Sequence, residues 1–171
     1  MLKKITVRRV LFAVFTLLTV LWMCAIFGFS SKTAEESTVQ SNFVTELLLK
    51  VFESDFNDLT KAEQEEIIEV YDGIVRKAAH FAAYALLGFL AYLSVGSFRY
   101  LPDRKFVPAM ASVPGCIIFS ISDEYHQTFV DGRSGQLSDV CTDSLGAVFG
   151  TLCAIFAVYV FFRYILKAKR V

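Results

Sequence analysis

The sequence has no surplus of either charge. Its 17 basic and 17 acidic residues cancel, so overall charge points to neither a nucleic acid nor an acidic partner, and the placement of each sign carries the information. Histidine is scarce, with two residues, and cysteine amounts to four. No CxxC pair and no Cys/His zinc spacing occurs, which speaks against a zinc module and a disulfide framework. Cys24, Cys116 and Cys153 sit inside apolar runs and behave as small hydrophobes, while Cys141 has polar neighbours. Nothing beside Cys141 marks a stabilised thiolate, so it reads as a packing residue rather than a nucleophile. The sequence also lacks a serine nucleophile elbow and a phosphate-cradling glycine loop, which leaves transfer through a covalent serine without support.

Apolar surface is what the chain has in quantity. Hydrophobic residues make up 55% of the 171 positions and aromatics 15%, and the mean hydropathy is +0.51. These values place the chain among membrane proteins, with room for one domain over residues 1–171. Four segments approach the roughly 20 apolar residues that cross a bilayer, at about 10–29, 78–96, 106–122 and 140–162. The third is short and broken by Pro108, Pro114 and Gly115, bends that neighbouring helices or water can satisfy. The first has a basic start, yet "CAIFGFSS" offers no small-x-small cleavage site, and Trp22 and Met23 before Cys24 exclude a lipoprotein signal; it reads as a retained helix.

Basic residues set the expected orientation. Lys3, Lys4, Arg8 and Arg9 precede the first span, Arg99, Arg104 and Lys105 fill the short second connection, and Arg163, Lys167, Lys169 and Arg170 follow the last span. All three regions are expected in the cytoplasm, with both termini inside. The expected fold is an all-α, four-helix transmembrane bundle. The long first connection, residues 31–77, then lies outside. There Phe43, Val44, Leu47, Leu48, Val51 and Phe52 recur at helical spacing, and "TKAE" (60–63) has the form of a capping box. Two short amphipathic helices are expected, lying on the membrane or covering the span ends, with "EQEEIIE" as a solvated face.

The remaining polar residues gather at the expected outer face. On a helix turning about 100° per residue, Asp139, Asp143, Gly146 and Gly150 fall within roughly 60° of one another, which sets two carboxylates above a close-packing Gly-xxx-Gly surface. In "RKAAHFAAYALLG", Lys77, His80, Tyr84 and Gly88 share a comparable sector. In "SDEYHQ", Asp123 shares a face with His126 and Gln127, while Glu124 points about a quarter turn away. Arg133 lies on the following "VDGRSG" turn, equally suited to gripping a phosphate or carboxylate and to pairing with Asp131 or Asp139.

These segments resemble the VanZ-like family of small bacterial membrane proteins. The resemblance rests on "IFGFSS", "RKAAHFAAYALLGF" and "SDEYHQTFVDGRSGQLSDVCTDSLGAVFG", spanning Ile26 to Gly150 but not the connection from about Lys32 to Tyr71. The family pattern is a Lys-xx-His-Phe-xx-Tyr helix, then Asp-Glu-xx-Gln, Gly-Arg, and Asp-xxx-(Asn or Asp)-xx-Gly. The matching positions are Lys77, His80, Tyr84, Asp123, Glu124, Gln127, Gly132, Arg133, Asp139, Asp143 and Gly146, and His126 also fits. Asp131 stands where proline is common, and Asp143 where asparagine is frequent. The resemblance implies a role in the cell envelope and a link to teicoplanin-type glycopeptide resistance.

Two readings of the polar set stay open. In the first, an enzyme acts at the outer leaflet on a lipid, a lipid-linked wall precursor or a lipoglycopeptide. Its candidate catalytic residues are His80, Asp123, Glu124 and His126, and its candidate substrate contacts are Lys77, Tyr84, Gln127 and Arg133. Asp139 and Asp143, with Asp123 or Glu124, are candidate ligands for a divalent metal such as Mg²⁺ or Mn²⁺, or zinc if both histidines point inward. In the second, the protein binds or braces without catalysis, and the same cluster is an ion-pair network. A transporter would use intramembrane ionisable residues too, but the polar sectors gather at one end and no continuous path is visible.

Overall fold

The chain stays helical wherever neither proline nor a capping signal interrupts it. The computed structural model describes residues 2–98, 106–161 and 163. Its helices are α1 (Leu2–Ser30), α2 (Ala34–Phe52), α3 (Lys61–Phe98), α4 (Val107–Gln127) and α5 (Leu137–Val160), with a 3₁₀ turn over Ser54–Asp58. Among the described residues there is no strand, as the all-α expectation requires. The connecting Arg99, Arg104 and Lys105, the span end at Phe162 and the tail residues Lys167, Lys169 and Arg170 lie outside the described residues.

Helices α2 and α3 both start from capping boxes. Thr33 Oγ1 accepts from Glu36 N while Glu36 Oε2 accepts from Thr33 N, and Thr60 and Glu63 repeat the exchange. These bonds occupy amide donors that the first helical turn leaves without intrahelical partners. The Thr60 bonds hold the Glu63 carboxyl below its ordinary range. Beyond Lys61 no proline occurs for 38 residues, and Gly73 sits in open space, so nothing stops the helix. The expected second amphipathic helix and the span at 78–96 are therefore one rod, about 57 Å long at 1.5 Å per residue. The connection 31–77 thus holds α2, the 3₁₀ turn and the first turns of α3 instead of two separate short helices.

Helix α3 is the axis of the fold. α1 runs antiparallel to it, tied by Thr16 Oγ1 to Ser94 Oγ at 2.7 Å and by Trp22 Nε1 donating to Ala83 O at 2.8 Å. α4 is also antiparallel, with Tyr84 against Phe119 and Gly96 beside Pro108. α5 runs parallel to α3. Gly146 and Gly150 rest on the backbone of Phe81 and Ala85, and Gly88 on that of Ala147, so closely that a Cβ at any of the three would collide with a carbonyl. The Gly-xxx-Gly face therefore packs within the chain. These directions bring Ser30, His80, Asp123 and Asp143 to one end and Arg8, Phe98 and Pro108 to the other.

Three helices, α1, α3 and α5, are long and apolar enough to cross a membrane. α4 forms where the third span was expected, but it falls short of that apolarity. Ser112, Ser120, Ser122, Asp123 and Glu124 lower its hydropathy, and all but Ser122 are buried against the other helices. Outward faces carry exposed Leu17, Leu21, Ile118, Leu145, Leu152 and Phe156. On α2, Thr45 and Leu49 are the buried positions, while Phe43, Leu47, Val51 and Phe52 stay exposed.

Candidate functional site

The helix directions converge three carboxylates, Asp123, Glu124 and Asp143, on His80 near the middle of α3. Asp143 is fully buried. Its Oδ1 lies 3.3 Å from His80 Nδ1 and its Oδ2 accepts from Ser120 Oγ at 2.9 Å. A carboxylate buried to this degree needs donors on both oxygens, and here each oxygen has one. The Gly146 and Gly150 contacts set α5 close enough to α3 for the Asp143–His80 bond to form. Among the described residues, Nε2 of His80 has no protein partner, so Asp143 fixes the ring through Nδ1 and leaves the other nitrogen available.

The loop after α4 folds back over the cluster. Gly132 turns it with a φ of +72°, and a Cβ at Gly135 would strike the Glu124 carbonyl. This return delivers Arg133, which donates to Gln127 Oε1 at 2.9 Å, while Gln127 Nε2 donates to Glu124 Oε1 at 3.1 Å. Glu124 Oε2 accepts from the Gln136 amide at 2.9 Å, placing a carboxylate at the start of α5 where the helix dipole favours it. Burial, and then the nearby Arg76, push the Arg133 guanidinium below its usual pKa.

Asp123 differs from its neighbours. It is 1% exposed, and Tyr84 OH reaches its Oδ2 only at 3.5 Å. Neither its Oδ1 nor the Ser30 hydroxyl has a hydrogen-bond partner within 3.5 Å, and the two buried groups lie close enough for Ser30 to act as a weak donor to the carboxylate. Asp123 borders a cavity of about 340 Å³ between α1, α2 and α3, together with His80, Tyr84, Arg76 and Arg133. Trp22, Ile26, Phe29, Val44, Val75 and Ala83 supply apolar wall. An unsatisfied buried carboxylate oxygen costs roughly 1–3 kcal/mol or more unless something donates to it.

The structure sorts the sequence-predicted residues. His80, Tyr84, Asp123 and Arg133 line the cavity; Glu124, Gln127 and Asp143 support them from behind. Lys77 does not join them. It is exposed on α3 and outside the cavity lining, because one residue of helix rotation hands that place to Arg76. Arg76 escaped sequence reasoning, although its adjacency to Lys77 and its position four residues before His80 were visible. His126 is also turned away: its ring stacks on Phe27 at 4.2 Å and Nε2 meets Ser31 Oγ at 3.1 Å. Asp139 is half-buried and accepts from Ser138.

The metal expectation changes accordingly. The group whose ligand atoms lie within 4.8 Å of one another is His80, Glu124 and Asp143, without Asp139 or His126. Such a donor set suits a divalent cation in type. Yet all four carboxylate oxygens of Glu124 and Asp143 are already engaged by protein groups, so an ion would have to displace them.

An all-α chain with three apolar helices of spanning length and a polar end cluster belongs to the class of helical membrane proteins in composition and build. The VanZ/LLP1 family model matches residues 15–162, and the chain belongs to that family. No curated protein and no solved structure matches it.

Proposed function

We propose that this is a multi-pass protein of the bacterial cell membrane, with both termini cytoplasmic and a cavity at the outer face that takes an amphiphile. The whole chain works as one domain, and α4 completes the expected four-helix transmembrane bundle by running beside α3. The substrate class is a lipid, a lipid-linked wall precursor or a lipoglycopeptide, and the activity contributes to glycopeptide resistance. The observation that carries this reading is that His80, Asp123, Arg76 and Arg133 border one cavity whose walls are otherwise largely apolar. The exposed apolar face of α2 supports it, since such a helix suits the boundary between headgroups and acyl chains.

In this mechanism the Asp123 carboxylate, at the cavity wall, accepts a hydrogen bond from a hydroxyl or ammonium of the bound headgroup. His80, held through Nδ1 by Asp143, takes up a proton at Nε2, and the Asp143 carboxylate stabilises the resulting imidazolium. Tyr84 and Gln127 keep Asp123 and Arg133 in place. The test is His80→Ala and Asp123→Asn in a host expressing the protein. Both variants are expected to insert at wild-type levels and to lose the teicoplanin phenotype; an unchanged phenotype refutes the catalytic roles.

A second reading, the ion-pair brace, is favoured by the complete pairing of Glu124 and Asp143. Under it, the same variants unfold or fail to accumulate instead of inserting silently.

A further inference from the structure

Two arginines and one carboxylate residue, Asp123, line the same cavity. Arg76 and Arg133 both border it, and they lie near enough for Arg76 to act on the Arg133 charge. Arg76 pairs with Asp72 one turn earlier on α3. Arg133 donates to the neutral Gln127, and no carboxylate lies within 4 Å of it among the described residues, although Glu124, Asp123 and Asp139 act on its charge from farther away. Two like charges bordering one cavity repel each other, and an anion bound between them relieves that repulsion.

The Asp72–Arg76 pair is itself incomplete. Asp72 Oδ1 and Arg76 Nε are buried atoms without a hydrogen-bond partner. Asp72 uses one oxygen and Arg76 part of its fork, so the pair holds the guanidinium without saturating it. Two guanidinium groups bordering one space match an anion with several oxygens, which a phosphate provides and a single carboxylate supplies less fully. The Asp123 carboxylate borders the same cavity and suits a hydroxyl or ammonium on the same headgroup.

We propose that Arg76 and Arg133 together hold the phosphate of the cavity's ligand, and that Asp72 occupies Arg76 until that phosphate replaces it. The inference rests on the reading that the cavity takes an amphiphile, and it names the headgroup: a phosphate ester that also carries a hydroxyl or ammonium. Arg76 is then the main determinant of headgroup charge, and Asp72 competes with the ligand for it.

Trp22 lines the cavity and is the one tryptophan in the chain, so its fluorescence reports occupancy. The full-length protein in neutral detergent is titrated with dioctanoyl phosphatidylglycerol, with dioctanoylglycerol lacking phosphate, and with inorganic phosphate. The lipid phosphate is expected to shift Trp22 emission and to bind about tenfold or more weakly to Arg76→Gln, as loss of a charge-assisted contact requires. Asp72→Asn is expected to bind it several-fold more tightly, a gain that misfolding cannot produce. Dioctanoylglycerol should bind more weakly and ignore both substitutions. Inorganic phosphate should follow the same pattern at lower affinity; equal affinity would assign the site to free phosphate and overturn the amphiphilic ligand. Phosphatidylglycerol binding that neither substitution alters, or a weakening in Asp72→Asn, overturns the inference and leaves the amphiphile cavity standing. Silence of Trp22 toward every amphiphile removes the cavity reading beneath it.

Discussion

The two sides of α3 are built on opposite plans. Toward α5, glycines let the backbones touch, and Thr151 adds a hydrogen bond to the Gly88 carbonyl. Toward α1 and α2, side chains such as Trp22, Val44 and Arg76 hold the helices apart around a cavity. Close packing on the first side fixes His80 through Asp143; spacing on the second leaves room for a ligand beside it. The difference teaches that the site needs a rigid wall and an open wall on the same helix, one supplying position and the other access.

The most damaging way to break the rigid wall is Gly150→Leu. Its Cβ meets the Ala85 carbonyl, a backbone atom that cannot move aside, so a loss of more than about 3 kcal/mol is expected. The check is thermal unfolding of the purified protein; a wild-type melt would mean that the α3–α5 contact is looser than described. Asp143→Ala comes next. It strips the bonds to His80 and Ser120 and should cost about 2–3 kcal/mol together with the function of His80. Denaturant unfolding paired with the resistance phenotype separates those two effects.

On the open wall the effects are smaller. Trp22→Phe removes the bond to Ala83 and part of the cavity wall and should cost about 1 kcal/mol. It should also change ligand affinity more than stability, a contrast that Gly150→Leu cannot show. The smallest effect belongs to the cap of α3, far from either wall. Glu63 has a lowered folded-state pKa, so its contribution is present above the unfolded pKa and disappears as pH falls through the folded one. Glu63→Ala should therefore speed amide exchange in the first turn of α3 at neutral pH, and a comparison of melts well below the carboxyl range should show no difference between the two chains.

Much of this was legible one helix at a time. The spacing of Asp139, Asp143, Gly146 and Gly150 identified a close-packing face with carboxylates above it, because helical periodicity is a local property. Capping chemistry at Thr60 and Glu63 is local as well. The Thr33–Glu36 box obeys the same rule and was equally open to reading. Rotation within an element was harder. Lys77 and Arg76 are neighbours in sequence, and which of them enters the cavity depends on how α3 turns toward α1 and α2.

The sequence by itself determined the helical class, the apolar spans of α1, α3 and α5, the family, and the crowding of polar residues into one end. All of these follow from composition, period and order along the chain. Only the tertiary structure decided which carboxylate stands alone. Glu124 and Asp143 find donors on α3, α4 and the loop before α5, while Asp123 keeps one buried oxygen with no donor within 3.5 Å. Whether a buried oxygen is satisfied depends on groups far away in sequence, and hydrogen-bond geometry tolerates only tenths of an ångström, which no residue spacing along one helix can specify.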